Sequence, residues 1–208
     1  MKKQGDIIII SGPSGVGKST LVGKVRAEIP ELEFSISCTT RAPRPGEVDG
    51  REYYFLTEAE FAAHRAAGDF LESAGVFSHA YGTLKSEVLG RVRQGKRVLL
   101  DIDLQGAKQI RAAADHDPEL AASTLLVMIA PPSLEVLEQR LRGRQSDSEE
   151  QITQRLAAAR RELAGYRIYD YLVVNDDLEA ATRELLAILT AARARTSVIV
   201  EAPFEVEK

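Results

Sequence analysis

Four isoleucines in a row, Ile7–Ile10, run into Gly12-Pro13-Ser14-Gly15-Val16-Gly17-Lys18-Ser19. A β-branched run without polar alternation predicts a strand buried on both faces, as in a parallel sheet. The segment after it fits G-x-x-x-x-G-K-[ST], the phosphate-binding P-loop. Thr20 to Glu28 then reads as a helix that stops before Pro30. Glycines let backbone N–H groups turn inward around an anion, and the helix start adds partial positive charge. Lys18 is suited to the outer phosphates of a nucleoside triphosphate. The Ser19 hydroxyl is suited to Mg²⁺, an ion that keeps waters and binds the substrate's phosphates. The motif points to a triphosphate and leaves the reaction open.

Further apolar runs predict core strands over Asp6–Ser11, Arg97–Ile102, Thr124–Ala130 and Tyr171–Asn175, with a shorter one over Phe34–Ser37. Helical patterns fall between them, over Ser86–Gln94, Leu104–Ala114, Leu134–Leu141, Glu149–Gly165 and Leu178–Arg195. Alternating strands and helices mean a three-layer α/β core, a parallel sheet covered on both faces. Residues 35–83 break the rhythm with short aromatic strand-like pieces (Glu52–Leu56 and Val76–Tyr81) and a helix opened by a Thr57-x-x-Glu60 capping box. They read as an inserted lobe with a small mixed β-sheet. The arginine-bearing stretch around residues 140–155 reads as a mobile helical flap. The expected division is a core from residues 1–34, 84–132 and 166–195, a lobe over 35–83, a lid over 133–165 and a C-terminal extension over 196–208. In that extension Val198, Val200, Ala202, Phe204 and Val206 alternate, which suits an edge strand, a homo-oligomer contact or a disordered tail.

Net charge is −4, which argues against a broad nucleic-acid-binding surface. Tyr and Phe are too few for a single-strand stacking platform. No apolar run approaches membrane-spanning length, and no signal peptide precedes the first strand. The single cysteine, Cys38, excludes an internal disulfide. These features suit a reducing, cytoplasmic compartment. His64, His79 and His116 show no metal-ligand spacing.

Four side-chain groups could carry chemistry. Arg41 and Arg44, with Tyr53 close behind, read either as a solvated basic loop or as a pair that converges on one dianion, since a guanidinium presents a planar fork to phosphate. Glu72 after Phe70-Leu71 reads either as a surface carboxylate at a strand end or as a reader of guanine, whose ring N–H and 2-amino group match one carboxylate. Asp101 and Asp103 close a core strand, where open α/β sheets place their ligand crevice. They read as solvated acids or as groups that orient waters around Mg²⁺. Arg140, Arg142, Arg144 and Arg155 form either a solvated helix face or a set that neutralises charge on a moving phosphoryl group. Asp103-Leu104-Gln105-Gly106 superficially imitates a GTPase switch, but no N-K-x-D motif follows.

Taken in order, these pieces resemble guanylate kinases. The matching motifs are Ser-Gly-Pro-Ser-Gly-Val-Gly-Lys-Ser-Thr (11–20), Ser-x-Thr-Thr-Arg-x-Pro-Arg-Pro-Gly-Glu (37–47), Gly50-x-x-Tyr53, Phe70-Leu71-Glu72 and Tyr81-Gly82-Thr83. They continue with Leu100-Asp101-Ile102-Asp103-x-Gln105-Gly106, Ala130-Pro131-Pro132-Ser133, Arg140-Leu-x-x-Arg144, Arg155-Leu156 and Val174-Asn175-Asp176-Asp177. The resemblance covers roughly residues 5–190. It implies transfer of the γ-phosphoryl group of ATP to GMP or dGMP, with Mg²⁺. It implies that Ser37, Glu72 and Thr83 read the guanine, supported by Asp101 and Asp103, and that Arg41, Arg44, Tyr53 and Tyr81 hold the GMP phosphate. Gly12 to Ser19 would cradle ATP, Asn175 would lie near its adenine, and Arg140, Arg144 and Arg155 would contact the triphosphate. Two departures thin the aromatic packing of the lobe: Ser73 stands where the family commonly has tryptophan, and Ser78-His79-Ala80 where it often has Gly-Asn-Tyr. Scaffold modules of this fold typically lose P-loop residues, whereas Lys18, Ser19 and the arginines are all present. A related kinase of another phosphorylated acceptor is the nearer rival, and the Ser37/Glu72/Thr83 set argues for a base in the site.

Overall fold

In the computed structural model, which describes residues 2–76, 78–143 and 147–201, Ile7 to Ile10 are fully buried in the central strand of a sheet. In chain order the first elements are β1 (Lys2–Lys3), β2 (Asp6–Ser11), α1 (Lys18–Glu28), β3 (Leu32–Phe34), β4 (Cys38–Thr39), β5 (Tyr54–Phe55) and α2 (Glu58–Ala67). There follow β6 (Phe70–Val76), β7 (His79–Leu84), α3 (Lys85–Arg93), β8 (Arg97–Asp101), α4 (Leu104–Ala114), α5 (Pro118–Ser123) and β9 (Thr124–Ala130). The rest comprises α6 (Leu134–Gly143), α7 (Glu149–Ala164), β10 (Tyr171–Val174), α8 (Leu178–Ala192) and β11 (Ile199–Glu201), with 3-10 turns at Tyr166–Ile168 and Thr196–Val198.

The five-stranded sheet has the order β10-β9-β2-β8-β3, and every pairing is parallel. Successive side chains of β2 point to opposite faces. Ile8 and Ile10 therefore join Leu21, Val25, Leu185 and Leu189 of α1 and α8, while Ile7 and Ile9 join Val88, Val92 and Ile110 of α3 and α4. The unbroken isoleucine run is the signature of this double burial. Among the described residues one ion pair sits inside the core. Arg97 grips Asp6 through Nε–Oδ1 at 2.9 Å and Nη2–Oδ2 at 3.0 Å, and Nη2 also donates to the Leu189 carbonyl. It ties the starts of β2 and β8 to the end of α8.

The inserted lobe is a four-stranded mixed sheet, order β5-β4-β7-β6, parallel between β4 and β5 and antiparallel elsewhere. The Thr57/Glu60 capping box opens α2 as the spacing predicts, and Gly68 closes it in the left-handed region at φ 71°. The Ser73 position, lacking the bulky aromatic, has its backbone bracketed instead: its N–H donates to Gln109 Oε1 at 3.0 Å and its carbonyl accepts from Gln109 Nε2 at 2.8 Å.

Most elements fall within a few residues of the sequence reading, and the larger differences lie in and beside the lobe. The strand expected over Phe34–Ser37 lies at Leu32–Phe34, because Leu32 and Phe34 register against Arg97 and Leu99 of β8 before the chain leaves for the lobe. Residues 52–56 supply only the two-residue β5, and the piece expected over Val76–Tyr81 divides between the end of β6 and the start of β7, which pair antiparallel. The short helix α5 was not anticipated, although Asp117 caps its N-terminus and Pro118 occupies its first turn. Helices α6 and α7, in the stretch expected to form a lid, share a small apolar cluster of Leu137, Leu141 and Ala159. An edge strand in the C-terminal extension exists over residues 199–201, paired antiparallel with β1. Residues 202–208, with the rest of that alternation, lie outside the described residues.

Candidate active site

The P-loop joins the carboxyl end of β2 to α1, whose N-cap is Gly17 at φ 94°. Two of its glycines are needed for space as well as for conformation. A Cβ on Gly12 would lie 2.3 Å from the Ile129 carbonyl oxygen, and one on Gly17 would lie 2.4 Å from Asn175 Nδ2. Lys18 pairs with Asp101 at the end of β8. Ser19 stands exposed in the first turn of α1. Among the described residues no His/Cys/Asp/Glu cluster forms a metal cage. Two hard oxygen donors, the Ser19 hydroxyl and the Asp101 carboxylate, nonetheless suit an ion that keeps its waters and takes phosphate oxygens.

Beside the loop opens a cleft of about 380 Å³ between the core and the lobe. Of the sequence-predicted residues, Ser37, Tyr53, Glu72, Tyr81, Asp101 and Asp103 line it. Thr83 does not. It is fully buried, and its hydroxyl donates to Glu72 Oε1 at 2.7 Å. The β6–β7 register places these two residues directly opposite each other. Glu72 is itself 5 % exposed. Burial pushes its carboxyl up to about 7, the Thr83 hydrogen bond opposes the rise, and the charge of Asp103 adds to it. Burial also raises the Tyr53 phenol.

Sequence reasoning missed what lies behind Glu72. Asp103 caps α4 by accepting from Gly106 N–H at 2.9 Å. A Cβ on Gly106 would meet Glu72 Oε2 at 2.7 Å. The D-x-x-G signal is thus a helix cap followed by a residue small enough to admit the buried carboxylate. Glu162 of α7 was also missed. Burial raises its carboxyl, with the Lys18 charge pulling the other way. No sequence signal marked it.

Arg41, Arg140 and Arg155 each contact neighbouring groups. Arg41 makes a two-pronged contact with Glu47, 2.9 Å on each prong, and its guanidinium carbon lies 5.5 Å from the Tyr53 ring centre. Glu47 also accepts from the Arg44 backbone N–H at 2.7 Å, while the Arg44 side chain is exposed. Glu47 stood in the matching motif without a role. Arg140 donates to the carbonyls of Asn175 at 2.8 Å and Asp176 at 3.4 Å. Arg155 donates to the Ser14 hydroxyl of the P-loop and pairs with Asp147. Arg144 lies outside the described residues. Asn175, expected near an adenine, is buried and donates from Nδ2 to the Val16 carbonyl of the P-loop at 2.7 Å.

Asp101 belongs to both places, lining the cleft and pairing with the P-loop lysine. Whatever the loop holds therefore lies within reach of whatever fills the cleft, an arrangement that suits a P-loop enzyme acting on two ligands at once. Known proteins narrow the class. The guanylate kinase family profile matches residues 4–192, and the chain belongs to that family. It is 46 % identical over 195 residues to a guanylate kinase of Cereibacter sphaeroides, covering 94 % of this chain and 90 % of the relative. It is 48 % identical over 181 residues to one from Trichormus variabilis, covering 87 % of each. The crystal structure of guanylate kinase from Anaplasma phagocytophilum superposes with a TM-score of 0.74 at 32 % identity, covering 96 % of this chain and 92 % of that one. No helix among the described residues is long and apolar enough to cross a membrane.

Proposed function

We propose that this chain transfers the γ-phosphoryl group of ATP to GMP, and to dGMP, giving GDP or dGDP and ADP. The observation that carries the reading is the Asp101 carboxylate, shared between Lys18 and the acid-floored cleft. Glu72 accepts the two adjacent N–H donors of guanine, and Ser37 completes the reading. Thr83 acts through Glu72, fixing it by the bond at 2.7 Å. AMP would present a lone pair to the buried carboxylate, a heavily penalised contact. Arg41, Arg44, Tyr53 and Tyr81 hold the acceptor phosphate, for which Arg41 exchanges its contact with Glu47. Asp103 supports the site from the cap of α4.

The P-loop from Gly12 to Ser19 binds the triphosphate, and Arg140, Arg144 and Arg155 approach it from the lid. The working division is a core, a GMP-binding lobe over 35–83 and a lid over 133–165. Magnesium, carried with ATP and held by Ser19 and by Asp101 through water, would supply charge neutralisation at the phosphates. An anionic GMP phosphate oxygen attacks the γ-phosphorus in line as the bond to the ADP oxygen breaks. A phosphate monoester has already lost its proton near neutral pH, so no general base is needed. Lys18 and the arginines contribute positioning and charge neutralisation. Closure of lobe and lid excludes water as a competing acceptor. The chemistry belongs in the cytoplasm, where both nucleotides occur.

A coupled assay of ADP release with GMP, dGMP, AMP, CMP and UMP tests the reading. Strong preference for the guanine nucleotides is expected. No turnover with GMP, or equal turnover with AMP, would overturn it.

A further inference from the structure

The geometry points to Asn175 as a positioning residue that holds the P-loop in its phosphate-binding shape and ties that shape to the lid helix α6. This rests on the P-loop reading but not on the identity of the acceptor. Asn175 follows β10 at the carboxyl edge of the sheet, and its backbone N–H donates to the Ala130 carbonyl at 2.8 Å. Its side-chain amide donates to the Val16 carbonyl at 2.7 Å inside a buried contact. That carbonyl belongs to the loop whose N–H groups must face phosphate, and because C=O and N–H point opposite ways in a trans peptide, holding it on Asn175 aims the Gly17 N–H away from Asn175. Gly17 has no Cβ to spare here, since one would lie 2.4 Å from Asn175 Nδ2. The Asn175 carbonyl in turn accepts from Arg140 Nη1 at 2.8 Å. The same helix leans on the loop a second time, with Leu141 Cδ2 placed 2.7 Å from where a Gly15 Cβ would be. One residue thus joins loop, sheet edge and lid.

A residue that merely touched adenine would affect nucleotides and spare a bare polyphosphate. A residue that shapes the loop would affect both. The test measures binding of MgATP and of magnesium tripolyphosphate by displacement of a fluorescent ATP analogue, with GMP binding and a thermal melt as controls. Asn175→Ala removes the donor, and Asn175→Asp keeps the side-chain shape while replacing the donor by an acceptor. In each variant that melts cooperatively, ATP and tripolyphosphate affinities should fall together, about tenfold or more as a buried carbonyl loses its partner. GMP affinity should stay within about twofold, and in turnover KM for ATP should rise while KM for GMP holds. Loss of ATP affinity alone would overturn the proposal and leave a base contact. Unchanged affinities would overturn it, as would parallel loss of GMP binding or failure of both variants to melt cooperatively, which mean a general structural role. Wild-type protein with no hold on tripolyphosphate would overturn it too, since the loop's shape would then carry no affinity. If GMP proves not to be the acceptor, the ATP and tripolyphosphate arms still decide the role of Asn175.

Discussion

Replacing Glu72 by Gln should make the empty protein more stable and a worse enzyme. The Glu72 carboxyl is 5 % exposed and is held at about 7 against an ordinary 4.5. Between those values the folded chain keeps the proton that the unfolded chain has already released. Stability is therefore lost as pH climbs from about 4.5, and the loss is complete above about 7. The difference, 7 − 4.5 = 2.5, at about 1.4 kcal/mol for each pH unit, comes to roughly 3.5 kcal/mol in the limit of high pH. Glutamine fills the same space, still accepts from Thr83 and never ionises. Urea melts without nucleotide should show Glu72→Gln ahead of wild type by about 3 kcal/mol at pH 8, shrinking to under about 1 kcal/mol at pH 5. The same variant should bind GMP more weakly by about 1–3 kcal/mol, the scale of a paired base contact. A stability difference equal at both pH values would refute the claim that Glu72 carries a burial cost. An unchanged GMP/AMP preference would remove it from base reading.

Lys18→Ala should abolish turnover while calorimetry finds GMP affinity largely intact. Gly106→Ala gains helix propensity of up to about 1 kcal/mol, yet its Cβ would sit 2.7 Å from Glu72 Oε2. Steady-state kinetics should show KM for GMP raised by about tenfold, with KM for ATP unchanged. Arg97→Met leaves Asp6, which has no exposed surface, without its partner. Chemical denaturation should report a loss of about 3–5 kcal/mol, partly restored by adding Asp6→Asn.

The P-loop and its flanking elements were legible because each rests on local chemistry. Unbroken isoleucine means a strand buried on both faces, and positive φ at Gly15 and Gly17 means glycine. The Thr57 capping box was legible for the same reason. What was hidden depends on pairing between distant segments. The stretch from Leu32 to Ser37 alternates acceptably throughout, and only β8 decides that the strand stops at Phe34. Helix α5 is six residues long, too short to show a period, so its Asp-Pro start stood alone. The position of Thr83 behind Glu72 follows from hairpin register, which a bulge between Phe70 and Glu72 resets. Nothing local to Asn175 announces that its partner is Val16, 159 residues away.

The placement of β2 at the centre of its sheet also shapes how the chain is made. Its two neighbours begin at Arg97 and Thr124, so this strand, once it has left the ribosome, waits for both. At about 5–20 residues per second the nearer one takes roughly 5 s or more to arrive. Through that interval four consecutive isoleucines stand without a ladder partner, the composition most inclined to self-associate. Nascent-chain chaperones therefore have a clear client in a segment whose four isoleucines end fully buried in the native enzyme.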